Sequence, residues 1–182
     1  MAARYSTDEE RAFVAHYRAA NEARIFEGEQ WYREARAEAR RISRRREVTL
    51  GQAAGVIAAL SPRMRWSSNV RLADALCAGF EVRGVFAANL AKAERILSGE
   101  RPLDVLGGDK VRAFYRAIMA GGGKHVVLDV WMMRAAGWTK ATLTSREYAS
   151  LVEALTAAAA RVGEAPANFQ AVVWAQVRGG GE

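Results

Sequence analysis

Two ionisable residues stand where they could do chemistry, a lysine at a helix start and an aspartate inside an apolar run. Lys110 follows Leu106-Gly107-Gly108-Asp109, and beyond it Val111, Phe114, Tyr115 and Ile118 recur at helical spacing. Gly107 and Gly108 can take positive φ and permit close backbone approach, which suits a tight hairpin feeding a helix. The unpaired amides at such a helix start bind anions, and a phosphate is a natural occupant. Nineteen residues after Lys110, Asp129 interrupts the run Val126-Val127-Leu128-Asp129-Val130-Trp131. A carboxylate there is costly to desolvate unless it has a partner or a task. Each residue also has a plainer use. Lys110 can be a cation resting on phosphate, and Asp129 can be the N-cap of a helix starting near Val130.

The order of these features is informative. A glycine-rich hairpin, a lysine, a helix, the loop Gly121-Gly122-Gly123 and then V-x-x-D-V-x-x-x-R (Val126 to Arg134) resembles the helix-hairpin-helix DNA glycosylases. The spacing is similar to the 8-oxoguanine glycosylase and endonuclease III branches, in a compact, phage-type form. The resemblance implies a hairpin at about residues 103–121 that grips the DNA backbone through Gly107 and Gly108. It also implies Lys110 as the nucleophile of a bifunctional enzyme and Asp129 as the catalytic carboxylate. The family's hairpin usually reads L-P-G-V-G, whereas here it is shorter and has no proline.

Cleavage of an N-glycosidic bond passes through an oxocarbenium-like state that a nearby carboxylate stabilises. A neutral Lys110 could attack C1′, giving a Schiff base and then strand scission by β-elimination. Burial and a helix N-terminus both favour the neutral amine. The target base must leave the stack, so the implied partner is double-stranded DNA with one base flipped out.

The elements that must position these groups read as helices. Thr7 to Glu10 forms a capping box ahead of Phe13, Tyr17 and Ala20, and Gly28 is expected to break that helix before a second one from Glu29 to about Arg44. Trp31, Tyr32, Ala35 and Ala39 mark the second helix's buried side. It ends in the cluster Arg40, Arg41, Arg44, Arg45 and Arg46, which either complements a helix C-terminus or contacts phosphate. Arg45 is taken as a DNA contact on the second reading. Thr49 to Gln52 is another capping box, opening the apolar helix QAAGVIAAL, which must be core.

That helix runs into Ser61-Pro62-Arg63-Met64-Arg65-Trp66-Ser67-Ser68-Asn69. The stretch is similar in position to the glycosylase loop that enters the minor groove and fills the gap left by the flipped base. Arg63, Arg65, Trp66 and Asn69 are therefore candidate DNA contacts. The plainer alternatives are Trp66 as a core anchor and Asn69 as a helix cap. Helices follow at 69–80 and 85–98, with Cys77 as an inert core thiol, then a short turn into the hairpin. A third capping box, Thr144 to Glu147, opens another helix, and Pro166 starts the last. Gln170, Trp174 and Arg178 fall on one stripe of it, either a polar pocket wall or a helix edge. Phe114, Gln170 and Trp174 are candidate base-pocket residues. Val126–Val130 reads as extended chain entering a helix, and Gly179–Glu182 as a frayed tail.

The fold expected is all-α, one domain over residues 1–182. Net charge is +7 among 182 residues, which beside the hairpin points to a nucleic-acid partner. One cysteine and two histidines argue against disulfides, a four-cysteine iron–sulfur cluster or a zinc site, so no cofactor or metal is expected. There is no membrane-length apolar run and no signal-peptide pattern in the first residues, which points to the cytoplasm of a bacterium or phage-infected cell. No obligate protein partner is expected. The function expected is a DNA glycosylase with or without lyase activity. Two alternatives stand beside it: a phage-type transferase placing an amino acid or polyamine on an activated 5-hydroxymethyl pyrimidine in DNA, and a non-catalytic DNA-binding module. The module has no reason to hold Asp129 in an apolar run.

Overall fold

The computed structural model describes residues 7–140 and 142–179, and among these the chain is all-α, with ten helices and no strand. The expected tail beyond Gly179 and the first six residues lie outside the described residues. None of the described helices is long and apolar enough to cross a membrane. The described residues divide into two compact units, one made of residues 7–32 and 122–179, the other of residues 33–121.

The first unit holds α1 (Asp8–Ala19), the start of α2 (Glu22–Arg46), α8 (Val130–Ala135), α9 (Ser145–Val162) and α10 (Pro166–Arg178). Its core joins Phe13, Met132, Leu151, Leu155, Phe169 and Val173. Tyr17 stacks on Phe169 with centroids 4.9 Å apart. The Thr144 capping box forms with both of its hydrogen bonds, and Pro166 occupies the first turn of α10. Thr7 caps α1 by accepting from the Glu10 amide, but Glu10 itself is buried and takes Arg161 on its Oε2 at 3.3 Å. The expected box at that end is therefore half a box, because a tertiary cation claims the glutamate.

The helix break expected at Gly28 is corrected. The chain breaks at Ala20-Asn21, and Gly28 lies inside α2. The reason is steric. A Cβ at Gly28 would sit 2.4 Å from the Val172 backbone nitrogen of α10, so the glycine allows two helix backbones to touch. Close packing outweighs the lower helix propensity of glycine.

The second unit comprises the rest of α2, α3 (Leu50–Leu60), α4 (Trp66–Cys77), α5 (Ala87–Leu97), α6 (Pro102–Val105) and α7 (Asp109–Ala120). As its composition requires, α3 is the core, with every residue from Ala53 to Leu60 buried. It packs against α4, α5 and α7. The Thr49–Gln52 capping box forms, and Gln52 also donates to the Leu97 carbonyl at 3.1 Å, tying the start of α3 to the end of α5. The helix after the 61–69 loop starts earlier than expected, at Trp66, so the loop proper is only Ser61–Arg65. Cys77 is partly buried, and burial pushes its thiol up to about 11, in keeping with an unreactive side chain.

Candidate functional site

Asp129 is held from both sides. It is the N-cap of α8, with extended backbone (φ −113°, ψ −174°). Its Oδ1 accepts from the amides of Trp131 at 2.9 Å and Met132 at 3.1 Å. Its Oδ2 accepts from Trp174 Nε1 of α10 at 3.0 Å. A carboxylate has about four acceptor positions, so these three bonds leave room for about one more donor, a water or a substrate group. The side chain is half-buried. The arrangement is thus a fixed carboxyl group with one open acceptor position, suited to stabilising positive charge or orienting a nucleophile.

Further side chains support this carboxylate and its partners. Tyr148 of α9 accepts from the Leu128 amide at 3.2 Å and donates to the Val126 carbonyl at 3.1 Å, which staples the extended segment leading into Asp129. Trp174 lies between Arg178, whose guanidinium is 4.7 Å from the ring centroid, and Trp31 of α2, at 5.5 Å between centroids. Buried Tyr32 donates to the buried Gln170 Oε1 at 2.7 Å. Burial first, and then the charges of Tyr148 and Asp129, raise the Tyr32 phenol above its ordinary range, so it stays a neutral donor. The Gln170–Trp174–Arg178 stripe is therefore engaged rather than an idle edge. Gln170 braces Tyr32, Trp174 holds Asp129, and Arg178 covers Trp174. Tyr148 was missed by the sequence reading, since a tyrosine nineteen residues past Asp129 carries no local signal.

Lys110 is placed in the other unit, on the first turn of α7, and is exposed. The burial expected around it is absent at this position. The turn before it is Leu106-Gly107-Gly108, joining α6 to α7, with Gly108 at φ 77° where a side chain would be strained. No side chain caps α7, so its first-turn amides face outward from an exposed glycine pair. Two residues that were not singled out support this turn. Arg112 donates to the carbonyls of Leu106 at 2.9 Å and Leu103 at 2.6 Å. Lys92 brings its Nζ to 3.7 Å from where a Gly107 Cβ would stand, adding a cation beside the glycines.

The 61–69 stretch separates into two parts. Arg63 and Arg65 are exposed, and Arg63 adopts φ 59°, a conformation that is strained for a residue with a side chain. Pro62, Arg63 and Met64 line a cavity of about 300 Å³ together with Val85 and Phe86. Trp66 is half-buried and meets Phe114 edge-on at 6.5 Å, which supports its reading as a packing residue. Phe114 is thus a neighbour of Trp66, in a different unit from Gln170 and Trp174. The assignment of Asn69 to DNA is corrected. Its side chain is 2% exposed and donates to the Ile57 carbonyl at 3.0 Å, tying α4 to α3.

The basic cluster is also divided. Arg46 grips Asp74 with two bonds of 2.9 and 2.8 Å, and Arg45 approaches the same carboxylate at 3.6 Å. The Arg46 bond and charge hold the Asp74 carboxyl below its ordinary range. Arg46 is therefore a link between α2 and α4, while exposed Arg45 keeps part of its capacity for another anion. Among the described residues no group of three or more His, Cys, Asp or Glu gathers as a metal site.

These features define an all-helical, basic protein with a carboxylate anchored at Asp129 and an open, uncapped helix start. Residues 2–181 match DUF7178, a family of unknown function, and the chain belongs to that family. No curated protein and no solved structure matches it.

Proposed function

We propose that the protein acts on a base of double-stranded DNA, releasing it by cleavage of the N-glycosidic bond. The observation that carries this reading is the Asp129 carboxylate, oriented by three N–H donors beside Trp174 with one acceptor position left open. Asp129 stabilises the positive charge developing at C1′ and aligns a water at its free lone pair. The water oxygen bonds to C1′ as the C–N bond breaks, its proton passes to Asp129, and the base leaves with the bonding electrons. The uncapped glycine turn at Gly107-Gly108 holds a backbone phosphate, with Lys110 and Lys92 as cations beside it. The exposure of Lys110 favours this phosphate role over attack on the sugar.

The hairpin resemblance supports the reading, and the likeness of the Lys110–Asp129 interval to that of the glycosylases supports it further. Modification of a retained base by transfer of an amine is the second reading. It shares the flipped base and requires no attack by Lys110 on the sugar.

The test is a panel of duplexes carrying uracil, 8-oxoguanine, 5-hydroxymethyluracil or an abasic site, read by mass spectrometry and by borohydride trapping. The expected result is release of one of these bases without a trapped adduct, falling at least about a hundredfold in Asp129→Asn while DNA affinity persists. A borohydride adduct lost in Lys110→Ala restores the Schiff-base role. A base retained but heavier after incubation with amines moves the assignment to the transferase. Neither release nor modification, with binding intact, leaves a DNA-binding module and refutes the enzymatic reading.

A further inference from the structure

We infer that the second half of α2 is a groove for the phosphate backbone of duplex DNA, independent of the base chemistry proposed above. A groove of about 770 Å³ runs along it, lined by Arg33, Arg36, Arg40, Arg41, Arg44 and Arg45, with Ala120 and Gly121 at its edge. Arg33, Arg36, Arg40 and Arg44 follow one another at intervals of three, four and four, so they share one face of the helix. Like charges at that spacing repel and work against the helix, so the row as a whole costs the helix stability.

Neighbouring groups neutralise little of it. Arg41 pairs with Glu38 and Arg45 with Asp74, but among the described residues Arg33, Arg40 and Arg44 enter no ion pair. All three are exposed. Arg36 leans on the C-terminal end of α7, donating to the Ala120 carbonyl at 3.4 Å, while its Nε is buried with no partner. Gly121 permits this close approach, since a Cβ there would stand 3.3 Å from Arg36 Cδ. The groove thus borders the end of α7 opposite to the Gly107-Gly108 turn, about 18 Å away along a helix of 12 residues.

The chemistry of the lining identifies the partner. Guanidinium groups form paired hydrogen bonds with phosphate oxygens, and a row of them suits a regular polyanion. From Arg33 to Arg44 the helix rises about 16 Å, comparable to the axial run of about five phosphates on one strand. Between the arginines stand only Ala37, Ala120 and Gly121, which offer no bulky apolar group to insert into a lipid surface.

The test measures binding of a short unmodified duplex by fluorescence anisotropy across a salt series. The expected result for Arg33→Ala/Arg40→Ala/Arg44→Ala is a fall of about 3 in the slope of log affinity against log salt. The comparison protein is Arg11→Ala/Arg18→Ala/Arg146→Ala, which removes the same charge from exposed positions elsewhere, and its slope should change by less than about 1. Arg40→Gln/Arg44→Gln, with helicity checked by circular dichroism, should lose about 2 and guards against a misfolded triple variant. An unchanged slope in the groove variants, or an equal fall in the comparison protein, overturns the inference. So does tighter binding of polyglutamate or anionic vesicles than of duplex at equal salt. Because the duplex is unmodified and no base release is read, failure of the proposed enzymatic activity leaves this result standing, and the reverse also holds.

Discussion

Replacing Asp129 by asparagine sets two hydrogen-bond demands against each other. Asparagine caps helices about as well as aspartate, so its single oxygen can keep the Trp131 and Met132 amides. Its amide nitrogen then faces Trp174 Nε1 across the 3.0 Å now spanned by a hydrogen bond. Two donors meet, and the half-buried indole loses its acceptor. Leaving a buried donor unmatched costs about 1–3 kcal/mol, and partial exposure places this case at about 1–2. Asp129→Ala should cost more, about 2–4 kcal/mol, since the cap is lost as well.

The decisive variant is Trp174→Phe. Alone it removes the hydrogen bond and part of the contacts with Trp31 and Arg178. Combined with Asp129→Asn it also removes the clashing donor, so the double variant should be more stable than the sum of the two losses by about 1 kcal/mol. Urea unfolding followed by far-UV circular dichroism measures all four proteins without depending on the tryptophan that is replaced. If the two changes add to within about 0.4 kcal/mol, Trp174 does not hold this carboxylate and the account of the site is wrong. The same series shows how much of any lost activity in Asp129→Asn is lost fold.

Two other consequences follow from packing and charge. Gly28→Ala should destabilise the protein by more than about 3 kcal/mol, read as a fall in urea midpoint, because its Cβ would meet the Val172 backbone nitrogen as well as the Val172 Cγ2 at 2.4 Å, and the backbone cannot move aside as a side chain can. The Asp74 carboxyl is held below its ordinary value by Arg46, so its contribution is present above the unfolded pKa of about 3.9 and disappears as pH falls toward the folded one. Asp74→Asn should therefore flatten the loss of stability below about pH 4, and an unchanged acid limb of the stability curve would refute the linkage.

Helix identity in this chain was written locally. The boxes at Thr49 and Thr144, the proline at 166 and the apolar spacing of α3 and α7 act over three or four residues, within reach of their own signals. Asp129 belongs with them in part, since a cap needs only the next two amides. The all-α class followed from such signals, and so did the glycine turn before Lys110.

Tertiary structure decided what those side chains touch. Trp174 reaches Asp129 from 45 positions away, Tyr148 staples Val126 from 22, and Asn69 turns inward to a carbonyl 12 residues back. Gly28 stays helical because of Val172, and Glu10 leaves its capping role for Arg161. Lys110 and Arg46 show the same division, one left exposed and the other engaged by Asp74. A residue's type sets which bonds it can make, but burial and a partner distant in sequence choose among them, and neither is encoded within one turn of helix.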